Sequence, residues 1–341
     1  MSETVLITGG NGFLAQHIIK QLLEQGFTVR ATVRGLAKAD AVRATMITNQ
    51  VPHLERLTFA ELDLTQDTGF DAAMQGVTYV KSVAAPVFVN GKTADVQTAN
   101  AATAGTLRIL QAAERAHVRR VVMTSNLGAV GFSNFAPHHQ TTEADWTDVN
   151  QRNLSPYEKS KLVAEKAAWD YLRATNSPLE FAVVNPGAML GAALDAHVSG
   201  SFGLVTNLLD GNIPALPQMS VNVIDVADAA TIHVRALTTP AAAGKRFIAV
   251  ADQPISLPAM AHLIRSHYPQ LAGKVPHRQI PNWLLALMAK FNAQAKEANM
   301  LLRINHDVSN QRAKSVLGWT PTSTAEQAVL GALKTIIASR A

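Results

Sequence analysis

Tyr157 and Lys161 are the residues whose types and spacing could perform acid–base chemistry. They lie in the segment 155–161, Ser-Pro-Tyr-Glu-Lys-Ser-Lys. Its serine and glutamate have the spacing of a capping box and its proline suits a first helical position, so a helix is predicted to begin at Pro156 and to carry both residues on one face. A phenol with a pKa of about 10 is a poor acid at neutral pH, and a lysine cation beside it would lower that pKa. The same spacing also occurs by chance in surface pairs.

A glycine-rich turn near the N-terminus is the second feature that could bind or react. The run 5–7, Val-Leu-Ile, predicts a buried parallel strand, and the pattern from about Phe13 to Glu24 predicts an amphipathic helix. Gly9 and Gly12 between them allow a tight turn and the close approach of a ligand. Because the first N–H groups of the helix point back at this turn, a diphosphate would fit there. The spacing, Thr-Gly-x-x-Gly-x-x-Ala, differs from G-x-G-x-x-G, and such glycines can also serve geometry alone.

The next strand, predicted over residues 28–34, indicates which dinucleotide would bind. In NAD-binding folds an acidic residue about 20 residues beyond the turn binds the ribose 2′-hydroxyl. Here the strand ends in Arg34, and Lys38 follows on the next helix. Two cations would bind a 2′-phosphate and so favour NADPH over NADH, the alternative being two exposed basic residues at a helix start. After the following strand, Asp63 could accept a hydrogen bond from adenine or cap a helix.

Strands and helices continue to alternate through the first half of the chain. Apolar runs predict strands at 57–60, 77–80 and 120–125, and a long helix is predicted from about residue 93 to residue 116. Small residues at 82–86 leave room for a flat cofactor to cross a strand end. This order predicts an α/β fold with a doubly wound, Rossmann-type parallel sheet that binds its ligands at the carboxyl ends of the strands.

From Gly191 onward the pattern changes. Three segments are predicted to return to the sheet: residues 221–224, a helix near 226–237 and a strand at 246–250. Three others are predicted to be helices of a smaller lobe: residues 257–267, 282–291 and 323–337. The expected division is a dinucleotide-binding domain of residues 1–187 with about 221–250, and a mostly helical substrate lobe of about 188–220 with 251–341.

Composition narrows the function classes. A chain of 341 residues with 48% hydrophobic and 16% charged residues fits a globular protein of one large domain, or of a large and a small one. The absence of cysteine excludes disulfides, thiolate metal sites and a cysteine nucleophile. The net charge of +5 comes from scattered basic residues without a nucleic-acid motif, so no nucleic-acid partner is expected. Without a leader or an apolar run of about 20 residues, we expect a soluble, cytoplasmic protein with no membrane partner.

A long irregular stretch at 128–153 is a candidate active-site or surface loop because it exceeds an ordinary connection. It contains His138 and His139, which could suggest a metal. Carboxylates at ligand spacing are missing around them, so we interpret both as loop histidines and expect no metal.

Together these motifs resemble those of the extended short-chain dehydrogenases/reductases, close to the dihydroflavonol, cinnamoyl-CoA and methylglyoxal (ketone) reductases. The resemblance covers nearly the whole chain, including the segments 185–189 and 314–321, and implies that Tyr157 and Lys161 are the catalytic pair. It places cofactor contacts at Thr8, Gly9, Asn11, Gly12, Phe13, Leu14, Arg34, Lys38, Asp63, Leu64, Val83, Ala84, Ala85, Thr124, Pro186 and Met189. The candidate walls of an apolar substrate pocket, each of which could equally be core, are Phe88, Leu127, Phe132 and Phe202.

One departure from the family pattern concerns the strand before the long loop. The family usually carries Thr-Ser-Ser there, and its second serine polarises the substrate carbonyl. This chain reads Thr124-Ser125-Asn126, so Asn126 stands at the serine position. An asparagine amide is also a hydrogen-bond donor and could take over the role. Alternatively Ser125 takes it over after a small backbone shift, or activity is weakened.

The resemblance implies an NADP(H)-dependent oxidoreductase that reduces an aldehyde or ketone to an alcohol. Tyr157 would donate the proton, Lys161 would lower the tyrosine pKa and hold the nicotinamide ribose, and Asn126 or Ser125 would stabilise the oxyanion. A nucleotide-sugar epimerase or dehydratase shares the fold and the pair but typically holds NAD. A non-catalytic NADP-sensing regulator is a third possibility. The expected partner is a small carbonyl compound, and the chain is expected to be a monomer or a homodimer.

Overall fold

The computed structural model describes residues 3–84 and 96–340 of the chain. The predicted site residues Ala85 and Phe88, and the predicted beginning of the long helix, lie outside the described residues. In the first half, strands and helices alternate as the sequence predicts. They are β1 (Thr4–Ile7), α1 (Phe13–Glu24), β2 (Thr28–Val33), α2 (Ala39–Thr48), β3 (Leu57–Glu61), α3 (Phe70–Met74), β4 (Tyr79–Ser82), α4 (Val96–Arg115) and β5 (Arg120–Thr124).

The second half begins with α5 and becomes mainly helical towards the C-terminus, as predicted. Its elements are α5 (Pro156–Ala174), β6 (Glu180–Pro186), β7 (Ala188–Leu190), α6 (Gly203–Leu209), β8 (Leu216–Pro217), β9 (Ser220–Val221), β10 (Val223–Asp225), α7 (Val226–Thr238), β11 (Lys245–Ala249), β12 (Ile255–Ser256), α8 (Leu257–His267), β13 (Gln279–Ile280), α9 (Asn282–Met288), α10 (Ala293–Arg303), α11 (Gln311–Leu317) and α12 (Ala325–Ala338). Among the described residues, no helix is both long and apolar enough to cross a membrane.

Seven parallel strands form the central sheet in the order β11-β6-β5-β4-β1-β2-β3. The chain builds outward from β1 to β3 and then returns to the other side of β1 with β4. The strand order therefore reverses between β1 and β4, which is where doubly wound sheets bind ligands. Ile7 at the end of β1 lies opposite Ala31 on one side and Lys81 on the other. The predicted doubly wound fold is confirmed.

Apolar residues cover the sheet on both faces. Ile18 of α1 and Ile232 of α7 lie in one core cluster, and Ile109 of α4 and Ala164 of α5 lie in the other, all of them buried. These helices therefore hold the strand ends rigidly, which is what a site built on those ends requires.

Residues 221–224 do not join the central sheet, contrary to the prediction. β10 pairs in parallel with β7, and β9 pairs antiparallel with β12. The reason is that β11 already occupies the edge beside β6, so that β10 pairs with the strand that follows β6 along the chain. Gly187 makes this bend possible, because a Cβ there would lie 2.3 Å from the carbonyl oxygen of Asn222.

Lys81 in the middle of this sheet makes no ion pair with any acidic side chain of the described residues. Its side chain is fully buried, and Nζ donates to the carbonyl oxygen of His233 on α7. Desolvation lowers the lysine pKa well below its ordinary 10.5, and the cation of Arg120 lowers it further. Folding therefore weakens proton binding at Lys81 relative to the unfolded chain. Because the unfolded state binds more protons up to about pH 10, stability rises with pH in that window.

We predict that Lys81→Met raises the melting temperature at neutral pH by about 2–4 °C, since methionine fits a buried site without deprotonation. The carbonyl of His233 keeps its helical partner. The gain should shrink as the pH approaches 10, where the wild-type lysine loses its proton in both states. Lys334→Met, on the exposed side of α12, is the matched control and should show neither effect. Thermal unfolding of the three proteins across this pH range checks the prediction, and a pH-independent difference would contradict it.

Candidate functional site

Two glycines let the first turn lie directly against the neighbouring strands. Gly9 has a φ of +67°, and a Cβ there would lie 2.8 Å from the Cβ of Ala84. At Gly10 a Cβ would lie 2.6 Å from the Cβ of Ala31. Any side chain at either position would therefore push the turn out of the crevice between β1 and its neighbours. The tight turn at Gly9 is as the sequence predicts, whereas the contact of Gly10 with β2 was not predicted.

Thr8 fixes the end of β4 against the turn. Its side chain is buried, and Oγ1 accepts the backbone N–H groups of Val83 and Ala84, each at 2.9 Å. The predicted contact residues Thr8, Val83 and Ala84 are thus brought together at the point where the strand order reverses.

The start of α1 completes this crevice. Gly12 is the N-cap, and no side chain caps the helix. The first hydrogen bond of the helix runs from Gln16 N–H to the Gly12 carbonyl, so the amides of Phe13 and Leu14 precede it and have no helical acceptor. The carbonyl of Asn11 accepts from the Gln16 side chain at 3.3 Å. An uncapped helix N-terminus above glycines that leave no room for a Cβ fits the diphosphate of a dinucleotide.

Arg34 and Lys38 follow β2, the strand that pairs with β1, and both are exposed. Arg34 directly follows β2, and Lys38 ends a 3₁₀ turn that runs into α2. Asp63, which follows β3, accepts the backbone N–H of Thr65 at 2.9 Å and its hydroxyl at 2.8 Å. These two bonds lower the pKa of Asp63, and the nearby guanidinium of Arg34 contributes. The aspartate forms a local turn and does not cap a helix, since α3 begins later, at Phe70.

The predicted helix over the Tyr157–Lys161 pair begins at Pro156, and Ser155 is its N-cap. The serine hydroxyl accepts the N–H of Glu158 at 3.4 Å. Lys161 is 5% exposed, and its Nζ donates to the carbonyl oxygen of Thr124 at 3.0 Å. Tyr157 is 39% exposed, and its hydroxyl has no hydrogen-bond partner in the part of the chain that the structure describes. The lysine is thus fixed to the end of β5, whereas the phenol remains open to a ligand.

The pKa values of the pair differ from those that the sequence predicts. Desolvation, together with a smaller effect of the carboxylate of Glu158, raises the pKa of Tyr157 to about 12. Burial lowers the pKa of Lys161 to about 8, opposed by the carboxylate of Glu165. The expected lowering of the tyrosine pKa by the lysine is therefore wrong for the chain alone, because desolvation dominates. Tyr157 is a protonated phenol at neutral pH, which is the form that a proton donor needs.

Ser125 and Asn126 follow β5 and differ in what their side chains do. The Oδ1 atom of Asn126 accepts the N–H of Ala129 at 3.0 Å and caps the 3₁₀ helix Leu127–Ala129. This bond fixes the amide orientation and leaves the Nδ2 donor without a partner among the described residues. Ser125 is 2% exposed, and its buried Oγ likewise has no partner in the described chain. The asparagine is thus a fixed donor, whereas the serine hydroxyl is enclosed.

Gly128 allows this 3₁₀ helix to touch the first turn of α5. A Cβ at Gly128 would lie 2.6 Å from Cγ of Glu158 and 3.3 Å from the ring of Phe132. The segment that carries Asn126 and the helix that carries Tyr157 therefore pack directly on each other. No sequence motif indicated this role for the glycine.

The remaining predicted residues fall into two groups. Pro186 ends β6 and Met189 lies in β7, close to the bend at Gly187. Leu64 is buried in the core beside α4. Of the pocket candidates, Leu127 packs in a small buried cluster and Phe132 is partly buried. The third, Phe202, is 2% exposed and lies in the main core. Phe202 packs edge-on against Phe13, with ring centroids 5.3 Å apart. It thus supports the start of α1.

Three buried polar residues next to this site were not predicted: Glu165, Asn185 and Arg246. Glu165 lies one turn beyond Lys161 on α5, and Arg246 lies on β11. Asn185 was noted only as part of a family-like segment. Helical spacing from Lys161 could have indicated Glu165, but nothing local in the sequence connects it to Arg246.

One of the two loop histidines, His139, is paired with a single carboxylate. His139 Nε2 lies 2.9 Å from Oδ1 of Asp145, an exposed pair. Across residues 3–84 and 96–340, no group of three or more His, Asp or Glu side chains could hold a metal ion.

The amino-acid sequence is similar to one protein family and to several reductases. The model of the family described as "NAD dependent epimerase/dehydratase family" matches residues 5–251. Cinnamoyl-CoA reductase 1 of Arabidopsis thaliana is 32% identical over 72% of this chain and 70% of its own length. The provisionally named NADPH-dependent methylglyoxal reductase GRP2 of Candida albicans is 27% identical over 93% of this chain and 94% of its own.

A solved structure with the same fold is the yeast methylglyoxal/isovaleraldehyde reductase Gre2, which was crystallised with NADPH. It superposes with a TM-score of 0.79 at 22% identity and covers 99% of both chains. At this identity the similarity shows the fold, and it agrees with the doubly wound sheet and the helical C-terminal part described above.

Proposed function

The chain belongs to the NAD dependent epimerase/dehydratase family, and we propose that it is an NADPH-dependent carbonyl reductase that converts an aldehyde or ketone to an alcohol. The observation that carries the proposal is the open, protonated phenol of Tyr157 beside Lys161, which is fixed to the end of β5. Both residues lie on α5, and the strand that Lys161 contacts, β5, belongs to the same sheet as β1, which leads into the glycine-lined crevice. The reductases among the relatives, one of them named as NADPH-dependent, support the same reading.

We assign the following roles to the residues of the site. The crevice of Gly9, Gly10 and the start of α1 would bind the diphosphate, and bound NADPH would supply the hydride. Tyr157 donates its proton to the carbonyl oxygen as the carbon is reduced. The Nδ2 group of Asn126 donates a hydrogen bond to the same oxygen as charge develops on it. Lys161, held by the Thr124 carbonyl, would hold the nicotinamide ribose, and its positive charge would oppose the rise in the Tyr157 pKa that desolvation causes.

The predicted division into two lobes belongs to the same proposal. We propose that residues 1–187 with about 221–250 bind the cofactor and that 188–220 with 251–341 surround the substrate. The predicted pocket walls Leu127, Phe132 and Phe202 remain proposals, and two of them are buried in cores. The proposal therefore names the reacting group of the substrate, an aldehyde or ketone carbonyl, and not the rest of the molecule.

Two other functions use the same family fold. An epimerase or dehydratase acting on a nucleotide sugar also needs the Tyr–Lys pair, but Arg34 and Lys38 favour the 2′-phosphate of NADPH over NAD. A regulator that binds NADPH without turnover would not need the open phenol of Tyr157. These observations favour the reductase.

The test is an activity screen with the purified chain. Carbonyl-dependent consumption of NADPH, followed by its absorbance over a panel of aldehydes and ketones, is expected. Interconversion of nucleotide sugars without net consumption would identify an epimerase. Binding of NADPH with no turnover of any carbonyl compound would identify a regulator.

Cofactor choice gives a separate prediction. The double change Arg34→Ala with Lys38→Ala should raise KM for NADPH by about 10–100-fold, because hydrogen bonds to a charged group contribute about 1.5–3 kcal/mol. KM for NADH should hardly change, since NADH lacks the 2′-phosphate. Arg173→Ala, an exposed arginine on the far end of α5, is the control. Equal effects on both cofactors would contradict the assignment.

A further inference from the structure

Glu165 is a fully buried carboxylate whose two oxygens are both engaged. Oε1 lies 2.7 Å from Nε of Arg246, and Oε2 accepts a hydrogen bond from Nδ2 of Asn185 at 2.8 Å. Arg246 itself is 6% exposed. A buried ion pair of this kind is weak evidence for stability, because desolvation offsets much of the attraction between the charges. Its position therefore invites a functional explanation.

The position of this carboxylate connects it to the catalytic pair. Glu165 follows Lys161 by four residues on α5, so the two side chains share one face of the helix. The same Nδ2 group of Asn185 also donates to the backbone carbonyl of Asn126 at 3.2 Å. Glu165 thus connects the helix that carries the lysine to the backbone that carries the amide donor.

Arg246 extends the connection to the long loop. Its Nη1 donates to the carbonyl oxygens of Glu143 at 3.2 Å and Asp145 at 2.7 Å. Its guanidinium lies over the ring of Trp146, 3.7 Å from the centroid. One arginine on β11 therefore contacts three residues of the loop, while its charge compensates that of Glu165.

We infer that Glu165 is a positioning residue for carbonyl reduction: its buried carboxylate keeps Lys161 cationic, and through Asn185 it fixes the backbone of Asn126. The inference rests on the proposed function for its catalytic meaning. Its electrostatic part concerns the chain alone and can be tested without turnover.

The other groups around Lys161 that we consider are neutral or positively charged, so they do not stabilise the lysine cation as Glu165 does. On β5 the lysine meets the uncharged carbonyl of Thr124. On α7, His233 has its pKa lowered to about 3, mainly by burial and also by the neighbouring Lys81 and Lys161 side chains, so it is neutral at working pH. On β11, the guanidinium of Arg246 lies 2.7 Å from the carboxylate of Glu165, and as a second positive charge we expect it to oppose protonation of the lysine. The carboxylate of Glu165 is the group that favours the lysine cation.

The test uses two substitutions that should act in opposite directions. Glu165→Gln keeps the shape and removes the negative charge, so the pKa of Lys161 should fall by about one unit or more. Arg246→Gln removes the opposing cation, so the same pKa should rise. The pKa is read from the side-chain carbon signals of labelled lysine by NMR, with Lys161→Met giving the assignment. The basic limb of the kcat profile should move with it.

Asp228→Asn is the matched control. Asp228 is also a buried carboxylate, 1% exposed, and it accepts hydrogen bonds from Trp319 and Thr322 far from the pair. Its replacement should lower the melting temperature and leave the pKa of Lys161 unchanged. Opposite shifts in the two network variants, with none in the control, support the inference.

Several outcomes would overturn it. An unchanged pKa of Lys161 in Glu165→Gln, shifts of the same sign in both variants, or an equal shift in Asp228→Asn would each do so. If Glu165→Gln does not fold, Arg246→Gln still tests the direction. If the wild type reduces no carbonyl compound, the proposed function fails, whereas the NMR result still decides whether Glu165 sets the charge of Lys161.

Discussion

The Tyr157→Phe variant is expected to lose about 10²–10⁴-fold in kcat while it still binds NADPH, because only the proton donor is removed. The hydroxyl is open and protonated at neutral pH, and the described residues provide no second phenol beside Lys161. The ring itself contributes packing that phenylalanine keeps. Stopped-flow or steady-state reduction of an accepted aldehyde, together with a fluorescence titration of NADPH, measures both properties.

A matched variant separates chemistry from structure. Tyr171→Phe removes a phenol from the same helix, whose hydroxyl donates to Glu114. It should leave kcat within a factor of a few. If Tyr157→Phe retained wild-type turnover, Tyr157 would not be the proton donor.

The second large effect concerns Asn126. Asn126→Asp is expected to lower kcat by about 10²–10³-fold, the usual cost of losing one oxyanion donor. A carboxylate can still accept the N–H of Ala129, so the cap of the 3₁₀ helix is retained. The donor Nδ2, however, is replaced by an oxygen that repels the developing charge. NADPH affinity should therefore change little while turnover falls, and the melting temperature should fall as well, because the new carboxylate is buried.

Ser125→Ala decides between the two candidate donors. Its hydroxyl is enclosed, so we expect its loss to change kcat by no more than a few-fold. Asn126→Ser should keep much of the activity, because serine can both donate and cap. A large loss in Ser125→Ala, with Asn126→Asp fully active, would assign the polarising role to the serine.

Features that depend on neighbouring residues could be predicted from the sequence. The strand at Val5, the start of α1 and the N-cap at Ser155 follow from periodicity and capping chemistry, and the described structure has each of them. The doubly wound sheet follows from the alternation of these elements. The same local reasoning brought Tyr157 and Lys161 together, since their spacing on a helix fixes their relation.

Features that depend on distant segments could not be predicted in this way. The contact of Arg246 with Glu165 joins two elements 81 residues apart along the chain, and no pattern marks it. The placement of 221–224 depended on which strand takes the edge beside β6. The pKa of Tyr157 depended on desolvation, which a sequence does not reveal.

The measurement that tests the central claim most directly is isotope transfer. With an accepted ketone and the two stereospecifically C4-deuterated forms of NADPH, one form is expected to give an alcohol that carries deuterium on the former carbonyl carbon. Tyr157→Phe should form that product far more slowly. An alcohol without deuterium from either form, or no alcohol from any carbonyl compound tested, would contradict the assignment of this chain as a carbonyl reductase.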